Sequence, residues 1–427
     1  MSDRSGDNIY LLVPIILIAA LIAASVIRSP SLISVSGLGS AIVVSAPLIL
    51  ATYALMATTL AGRGTIDLAV GPLMALINVS IIQLVASDMV TSPIGVFLLA
   101  ILIGCTYQLA FALIVIYLRV QPIIVALSGY LALTGINLVI QPRPGGVAPM
   151  WMDGWGSGET LFSPVLIIVA LATGAWLLFT ATTFYSNLRM MGYDERAAYT
   201  SGVRVFMLRV GAHLISGVFV ALAAICYTAL IASGDPGQGA TITLQAVTAL
   251  VLGGIALSGG RGTVIGALLG ALTLFLIGYL LSTFDFGAIQ SFVTDLAYGL
   301  ILVLSLLLTL LVPIIGRHIA FISPYGMSVV LGVIVGGLLL HVATRGQYAQ
   351  MAAGVAEPGD YFLLAPATVQ PMGSGWALGL AIALGLGGLL LRAMVVEARA
   401  RRLGLFLYIG IALMLILVLW AARGGMA

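Results

Sequence analysis

MGYDERAAYTSGV, residues 191–203, is a polar island between two apolar runs, 161–182 and 208–232, each long enough to cross a bilayer. In a chain with 7% charged residues, Arg189, Asp194, Glu195, Arg196, Arg204 and Arg209 gather in and beside this one stretch. The pattern predicts two spanning helices joined outside the membrane by a short helix. Asp194 is placed to cap it, Glu195 falls in its first turn, and Gly202 is placed to end it in a left-handed cap. Ala197 and Ala198 are expected to leave a shallow surface for close approach by a soluble partner.

Working outward, the chain of 427 residues is 61% hydrophobic, with a mean hydropathy of +1.20. A surface of that composition is not solvated by water, so the fold class is an all-α polytopic membrane protein. Charge-free runs are expected to span at 9–27, 40–62, 68–87, 93–118, 121–140, 161–182, 208–232, 243–259, 264–282, 291–315, 325–343, 373–391 and 403–421,. They are continuously apolar rather than alternating, which excludes a β-barrel. The first run has only Arg4 against Asp3 and Asp7 before it and reads as a retained anchor,.

All 17 basic residues are Arg. With the N-terminus inside, 13 of them (4, 63, 119, 189, 196, 204, 209, 261, 317, 392, 399, 401 and 402) are cytoplasmic, against 4 outside (28, 143, 345 and 423). The positive-inside rule therefore predicts a cytoplasmic N-terminus and a periplasmic C-terminus. A net charge of +3 gives no sign of a nucleic-acid partner.

Outside loops carry turn formers and aromatics. Trp151 and Trp155, in the loop 141–160, suit either interfacial anchoring or docking of an external protein. The loop 234–240 reads as a tight turn, with a broken or re-entrant segment possible after it. Inside, Gly62-Arg63-Gly64-Thr65 is echoed by Gly260-Arg261-Gly262-Thr263, either as a trace of duplication or as one turn used twice,. Cys105 and Cys226 fall inside predicted spans and read as packed thiols. Three spans after Arg317 look appended, so the expected division is a core over 1–317 and an extension over 318–427.

Chemistry is sparse. His213, His318 and His341 show no metal-ligand spacing,. Without Lys there is no Walker A motif, so ATP and Mg, if used, belong to a partner subunit and no cofactor is expected on this chain. Asp67 lies at a span end, and no cluster of carboxylates falls mid-span, which argues against ion-coupled carriage. The membrane polar groups are instead neutral: Gln108, Gln121, Ser128, Tyr130, Thr134, Asn137 and Gln245. Amides and hydroxyls suit a path for a neutral polyhydroxyl solute, and equally suit interhelical hydrogen bonds.

Four stretches in order carry a family resemblance. Arg63-Gly64-Thr65-Ile66-Asp67-Leu68-Ala69-Val70-Gly71 resembles the Gly-Ile-Asp-Leu-Ser-Val-Gly signature of permeases of ribose/xylose-type ABC importers. Residues 120–127, VQPIIVAL, resemble their Gln-Pro-Phe-Ile-Ala-Thr-Leu segment. The island matches their cytoplasmic loop at Gly192, Ala197, Ala198, Ser201, Gly202 and Val203. Residues 252–263, LGGIALSGGRGT, are similar to their Leu-Gly-Gly run. The sequence departs from the family at Asp194 (often Asn), Gln245 (often acidic) and Tyr298 (commonly Lys).

The resemblance implies a ten-span type II ABC importer-like core plus about three extra C-terminal spans, in the bacterial inner membrane. It implies a homo- or heterodimer with a second permease, surrounded by lipid, served by a cytoplasmic ABC ATPase subunit and a periplasmic sugar-binding protein. Gly192, Asp194, Glu195, Arg196, Ala197, Ala198, Ser201 and Gly202 are then the coupling element. Asp67, Gln121, Thr134, Asn137 and Gln245 are candidates for the pathway, and Arg63, Gly64, Arg261 and Gly262 for cytoplasmic turns. Nucleosides or branched-chain amino acids are alternative cargoes, and a stand-alone ion-coupled carrier is the rival class.

Overall fold

The structure, a computed structural model, describes residues 18, 21–159, 162–284 and 296–300. The three expected C-terminal spans, the proposed boundary at 317, and most of the first and tenth spans lie outside these residues. Among the described residues the chain is helical, with one isolated bridge between Gly145 and Gly234 and no named strand. We label the helical segment over 21–28 α1. It is followed by α2 (Val35–Leu60), α3 (Val70–Ala86), α4 (Pro93–Tyr117), α5 (Pro122–Ile140), α6 (Pro164–Phe179), α7 (Thr183–Tyr193), α8 (Glu195–Thr200), α9 (Val205–Ile231), α10 (Gly239–Leu252) and α11 (Val264–Ser282).

Five of these helices (over 36–60, 93–117, 122–140, 205–231 and 264–282) are long and apolar enough to cross a membrane, and α6 with α7 makes a sixth if that bent pair is one span. The shorter apolar helices α3 and α10 complete the bundle.

Local sequence explains the helix starts. The Ser92 and Ser163 side chains accept from Gly95 N and Leu166 N, and each is followed by proline at the first helical position,. Thr263 caps α11 in the same way through Gly266 N.

The core is a central pair, α2 and α9. Residues Leu50–Ala57 of α2 are wholly buried, and α9 presents Ala221, Ala223 and Ala224 with no exposed surface. Small residues let the backbones meet. Gly104 of α4 and Gly217 of α9 face each other so closely that a Cβ on either would strike the other's carbonyl,. Gly71 of α3 and Gly239 at the start of α10 do the same.

α5 is peripheral, with only 17% of its apolar window buried. Leu131, Ile136, Leu138 and Val139 point outward, a face suited to lipid or to another membrane subunit. Cys105 and Cys226 are both free thiols on packed helices.

A buried amide, Asn78 of α3, ties α3 to the end of α9 and the loop before α10. Its Nδ2 donates to Thr228 Oγ1 at 2.8 Å and to Ser233 O at 3.0 Å, while its Oδ1 accepts from Asp235 N at 2.8 Å. The loop 234–240 is therefore tied down as a turn directly before α10. Trp151 bonds Thr91 O through Nε1 at 3.1 Å and packs edge-on to Trp155, so both indoles fold back on the protein's own loops. Asn78→Leu, which strands the Ser233 carbonyl and the Asp235 amide, is expected to cost about 2–3 kcal/mol. A fall in the thermal midpoint of the detergent-solubilised protein checks this, and an unchanged midpoint refutes the tie.

Candidate functional site at the arginine-rich end

The island forms a corner. α7 is bent by 76° from α6. Asp194, in extended backbone, closes α7 through its own N–H to Met190 O and opens α8. Its Oδ1 accepts from Arg196 N at 2.9 Å and Ala197 N at 3.0 Å, as the expected cap requires,. At the other end Gly202 has φ +82°. Gly202 N donates to Tyr199 O and Val203 N to Ala198 O, the paired bonds of a Schellman closure,. The helix is only six residues long.

One expectation is corrected. Ala198 is wholly buried and belongs to the main core. The outward surface of α8 is made by Arg196, Ala197, Tyr199 and Thr200 instead. The Ala198 methyl packs beneath the helix against the core rather than lying on its outer surface.

The two echoed turns, far apart in sequence, grip this corner together. Gly62, Gly64, Gly260 and Gly262 all have positive φ. Gly62 lies against both Gly192 and Gly259, and a Cβ on Gly192 would collide with Leu60 O and Gly260 N. Gly260 N donates to Leu60 O at 3.2 Å, and Arg189 Nε donates to Gly260 O at 3.0 Å. Arg261 donates through Nε to the Tyr193 hydroxyl at 3.0 Å and covers that ring at 5.3 Å. Arg63, Gly64, Arg261 and Gly262, expected as turn residues, therefore sit around the α7–α8 corner.

Charge completes the seat. The Glu195 carboxylate pairs with Arg63 and accepts from Arg209 Nη2 at 2.9 Å. The Arg209 side chain is 6% exposed and that of Arg63 is 61% exposed, so the Arg209 pair carries more of the energy,. Beside it a cavity of about 680 Å³ is lined by Arg63, Arg119, Gln121, Glu195 and Arg209. A second, of about 550 Å³, lies between the α7 start and the α8–α9 turn at Asn187, Ser201 and Arg204. The corner is thus flanked by two hollows, one lined by Glu195 and the other by Ser201 and Gly202.

The pathway candidates are not gathered into one place. Gln121 is exposed at the rim of the larger cavity. Thr134 bonds Tyr130 O on its own helix at 2.8 Å. Asn137 is buried and donates to Pro72 O at 2.9 Å, which fastens α5 to the head of α3. Gln245 is half-buried on α10.

Asp67 departs most from its expected place. It is wholly buried, and its carboxylate accepts from Ala69 N and Gln108 Nε2, with Gln108 in turn 2.7 Å from His213 Nδ1. Gln108 lies nine residues inside the end of α4, about 14 Å along its axis at 1.5 Å per residue,. The 61–69 segment therefore dips into the bundle, and a span end in sequence is an interior position in space. Gln108, read from the sequence only as one of the membrane polar groups, and His213 and Asn78 are buried polar residues that stand outside the pathway candidates. Their sequence signal is a lone amide or imidazole within an apolar run.

Residues 37–311 match the family described as branched-chain amino acid transport system / permease component. The chain is 28% identical over 250 residues to the ribose import permease of Bacillus subtilis, covering 57% of this chain and 76% of that relative. It is 31% identical over 207 residues to the galactose/methyl galactoside import permease of Escherichia coli, covering 45% and 60%. It is 27% identical over 301 residues to a probable ABC transporter permease of Escherichia coli, covering 70% and 88%. No solved structure matches. The family match runs through nearly all the described helices, from the start of α2 past α11 and with the α7–α8 corner inside it, and the chain belongs to this family of membrane permease components.

Proposed function

We propose that the chain is the transmembrane permease subunit of an ATP-driven, binding-protein-dependent importer of a monosaccharide, working by alternating access. The observation that carries this reading is the α7–α8 corner, held by both echoed turns and presenting Arg196, Ala197 and Tyr199 outward. A firmly seated corner flanked by two hollows, with Arg196, Ala197 and Tyr199 exposed, is a place where a soluble subunit can apply force to the bundle,. The ribose and galactose permeases among its relatives support the cargo class.

In this reading the corner faces the cytoplasm, as arginine placement requires, and the N-terminus is cytoplasmic. Residues 1–317 form a ten-span core and 318–427 an extension of about three spans. ATP and Mg are held by an ABC ATPase subunit that takes α8 in a groove, a binding protein delivers solute on the periplasmic side of the inner membrane, and a second permease completes the pathway. ATP binding draws the ATPase subunits together, α8 follows, and the two permeases rock about the path between them. The family description names one alternative cargo, a branched-chain amino acid.

The test is ATPase activity and uptake by this chain alone, then with the ATPase and binding protein encoded beside it. Activity that arises only in the assembly and rises with one sugar supports the reading. Stimulation by an amino acid selects the alternative cargo, and gradient-driven uptake by the lone chain overturns the importer. Within the assembly, Ala197→Trp on the outward face of α8 is expected to reduce ATPase-coupled uptake about tenfold or more while leaving membrane insertion intact, a loss typical of coupling between sites. Normal uptake by that variant would remove α8 from the coupling role.

A further inference from the structure

The import cycle leaves one buried polar chain without a task. Asp67 Oδ1 accepts from Ala69 N at 2.9 Å, which places the carboxylate just before α3, where the helix dipole favours negative charge,. Its other oxygen accepts from Gln108 Nε2. That donation fixes the amide, so Gln108 Oε1 faces His213, and the imidazole carries its proton on Nδ1 to donate across 2.7 Å,. The Phe111 ring lies 4.7 Å from the imidazole and closes the site.

On α9, Arg209, His213 and Ser216 recur at i, i+4 and i+7, one stripe of the helix,. All three are buried. The stripe begins at the Arg209–Glu195 pair, which holds α8, and one turn on it reaches Gln108 and through it Asp67. The head of α3 beyond Asp67 is also where α5 and α10 fasten, through Asn137 to Pro72 O and Gly71 N to Thr243 Oγ1 at 2.9 Å. One polar thread therefore runs from the outward corner to the junction of three helices.

Two atoms of the stripe add nothing to stability. His213 Nε2 and Ser216 Oγ are buried with no hydrogen-bond partner among the described residues. An unsatisfied buried polar atom costs about 1–3 kcal/mol, and an apolar side chain of similar shape packs at no such cost.

We propose that Gln108 and His213 are positioning residues of the transport cycle. They hold Asp67 in register with α8, so that displacement of α8 through Glu195 and Arg209 moves the head of α3 and the α5 and α10 contacts made there. The inference rests on the import reading above.

The experiment uses the full importer in lipid nanodiscs, comparing wild type, His213→Leu and His213→Asn. Leu removes the donor to Gln108, whereas Asn places a side-chain N–H close to where Nδ1 stands. Stimulation of ATPase by the loaded binding protein is expected to fall about tenfold in His213→Leu and to return to within about twofold in His213→Asn, a change typical of a coupling free energy between sites. The thermal midpoint is expected to stay level in His213→Leu, since one unpaired atom is gained at Gln108 and one lost at Nε2. Normal stimulation of His213→Leu overturns the proposal. So does equal impairment of both variants with a lowered midpoint, which would mean that the imidazole only packs. A wild-type assembly that is not stimulated at all overturns the import reading and this inference with it.

Discussion

Glu195→Arg is expected to abolish coupled uptake, by at least about a hundredfold, in a chain that still inserts. The carboxylate is shared by Arg63 and Arg209. The Arg63 guanidinium reaches solvent, so its half of the bridge is worth no more than about 1 kcal/mol. Arg209 is nearly enclosed, and removing its counter-charge costs about 3–5 kcal/mol in a fully buried setting; the 22% exposure of Glu195 lowers that to about 2 kcal/mol here,. That alone is about thirtyfold. A third guanidinium adds repulsion and drives α8 away from α9, so the corner no longer moves with the bundle. Glu195→Gln, neutral and of the same size, is expected to fall between the two. Arg209→Glu added to Glu195→Arg re-forms the pair with reversed sign and is expected to regain part of the loss. Uptake and ATPase of the reconstituted complex measure all four. Wild-type uptake by Glu195→Arg would show that the bridge has no part in transport.

Gly71→Ala is expected to destabilise the bundle by about 3 kcal/mol, at the upper end of the overpacking range. The added Cβ has nowhere to go. It meets the backbone carbonyl of Gly239 and the hydroxyl of Thr243, and backbone does not yield as a side-chain tip does. Separating α3 from α10 also breaks the Gly71–Thr243 hydrogen bond. Gly135→Ala on the outward side of α5 is the matched control, because its Cβ has no other heavy atom within 4 Å. That change is expected to stabilise α5 by about 0.5–1 kcal/mol through helix propensity. Thermal midpoints in detergent read both. If Gly71→Ala melts with Gly135→Ala, the α3–α10 crossing is looser than the structure has it.

Sequence reasoning recovered what local chemistry decides. The run 264–282 coincides with α11, and 93–118 and 121–140 coincide with α4 and α5 to within a residue, where the Ser92 and Thr263 caps and the first-turn prolines Pro93 and Pro122 mark the starts. The cap and closure of α8 were equally legible in Asp194 and Gly202. The run 243–259 ends early, at Leu252, because Gly253 and Gly254 release the chain into a loop that returns to Leu60. What stayed hidden was set by distant partners. Ala198 turns inward because the core lies beneath it, and the depth of Asp67 follows from Gln108, 41 residues later. The two glycine turns read as an echo; that they touch one another through Gly62 and Gly259 is a fact of three dimensions.

Those touching turns also set an order of events in biosynthesis. The seat of α8 is built from residues near 62, from 189–195 and from 259–261, so its first and last parts leave the ribosome almost two hundred residues apart. A nascent chain that stops after α9 carries the corner helix and no complete seat for it. In the proposed importer, engagement of the ATPase subunit at that corner would wait until α10 and the turn after it have been made, because the half-built chain lacks the Gly259–Arg261 side of the seat.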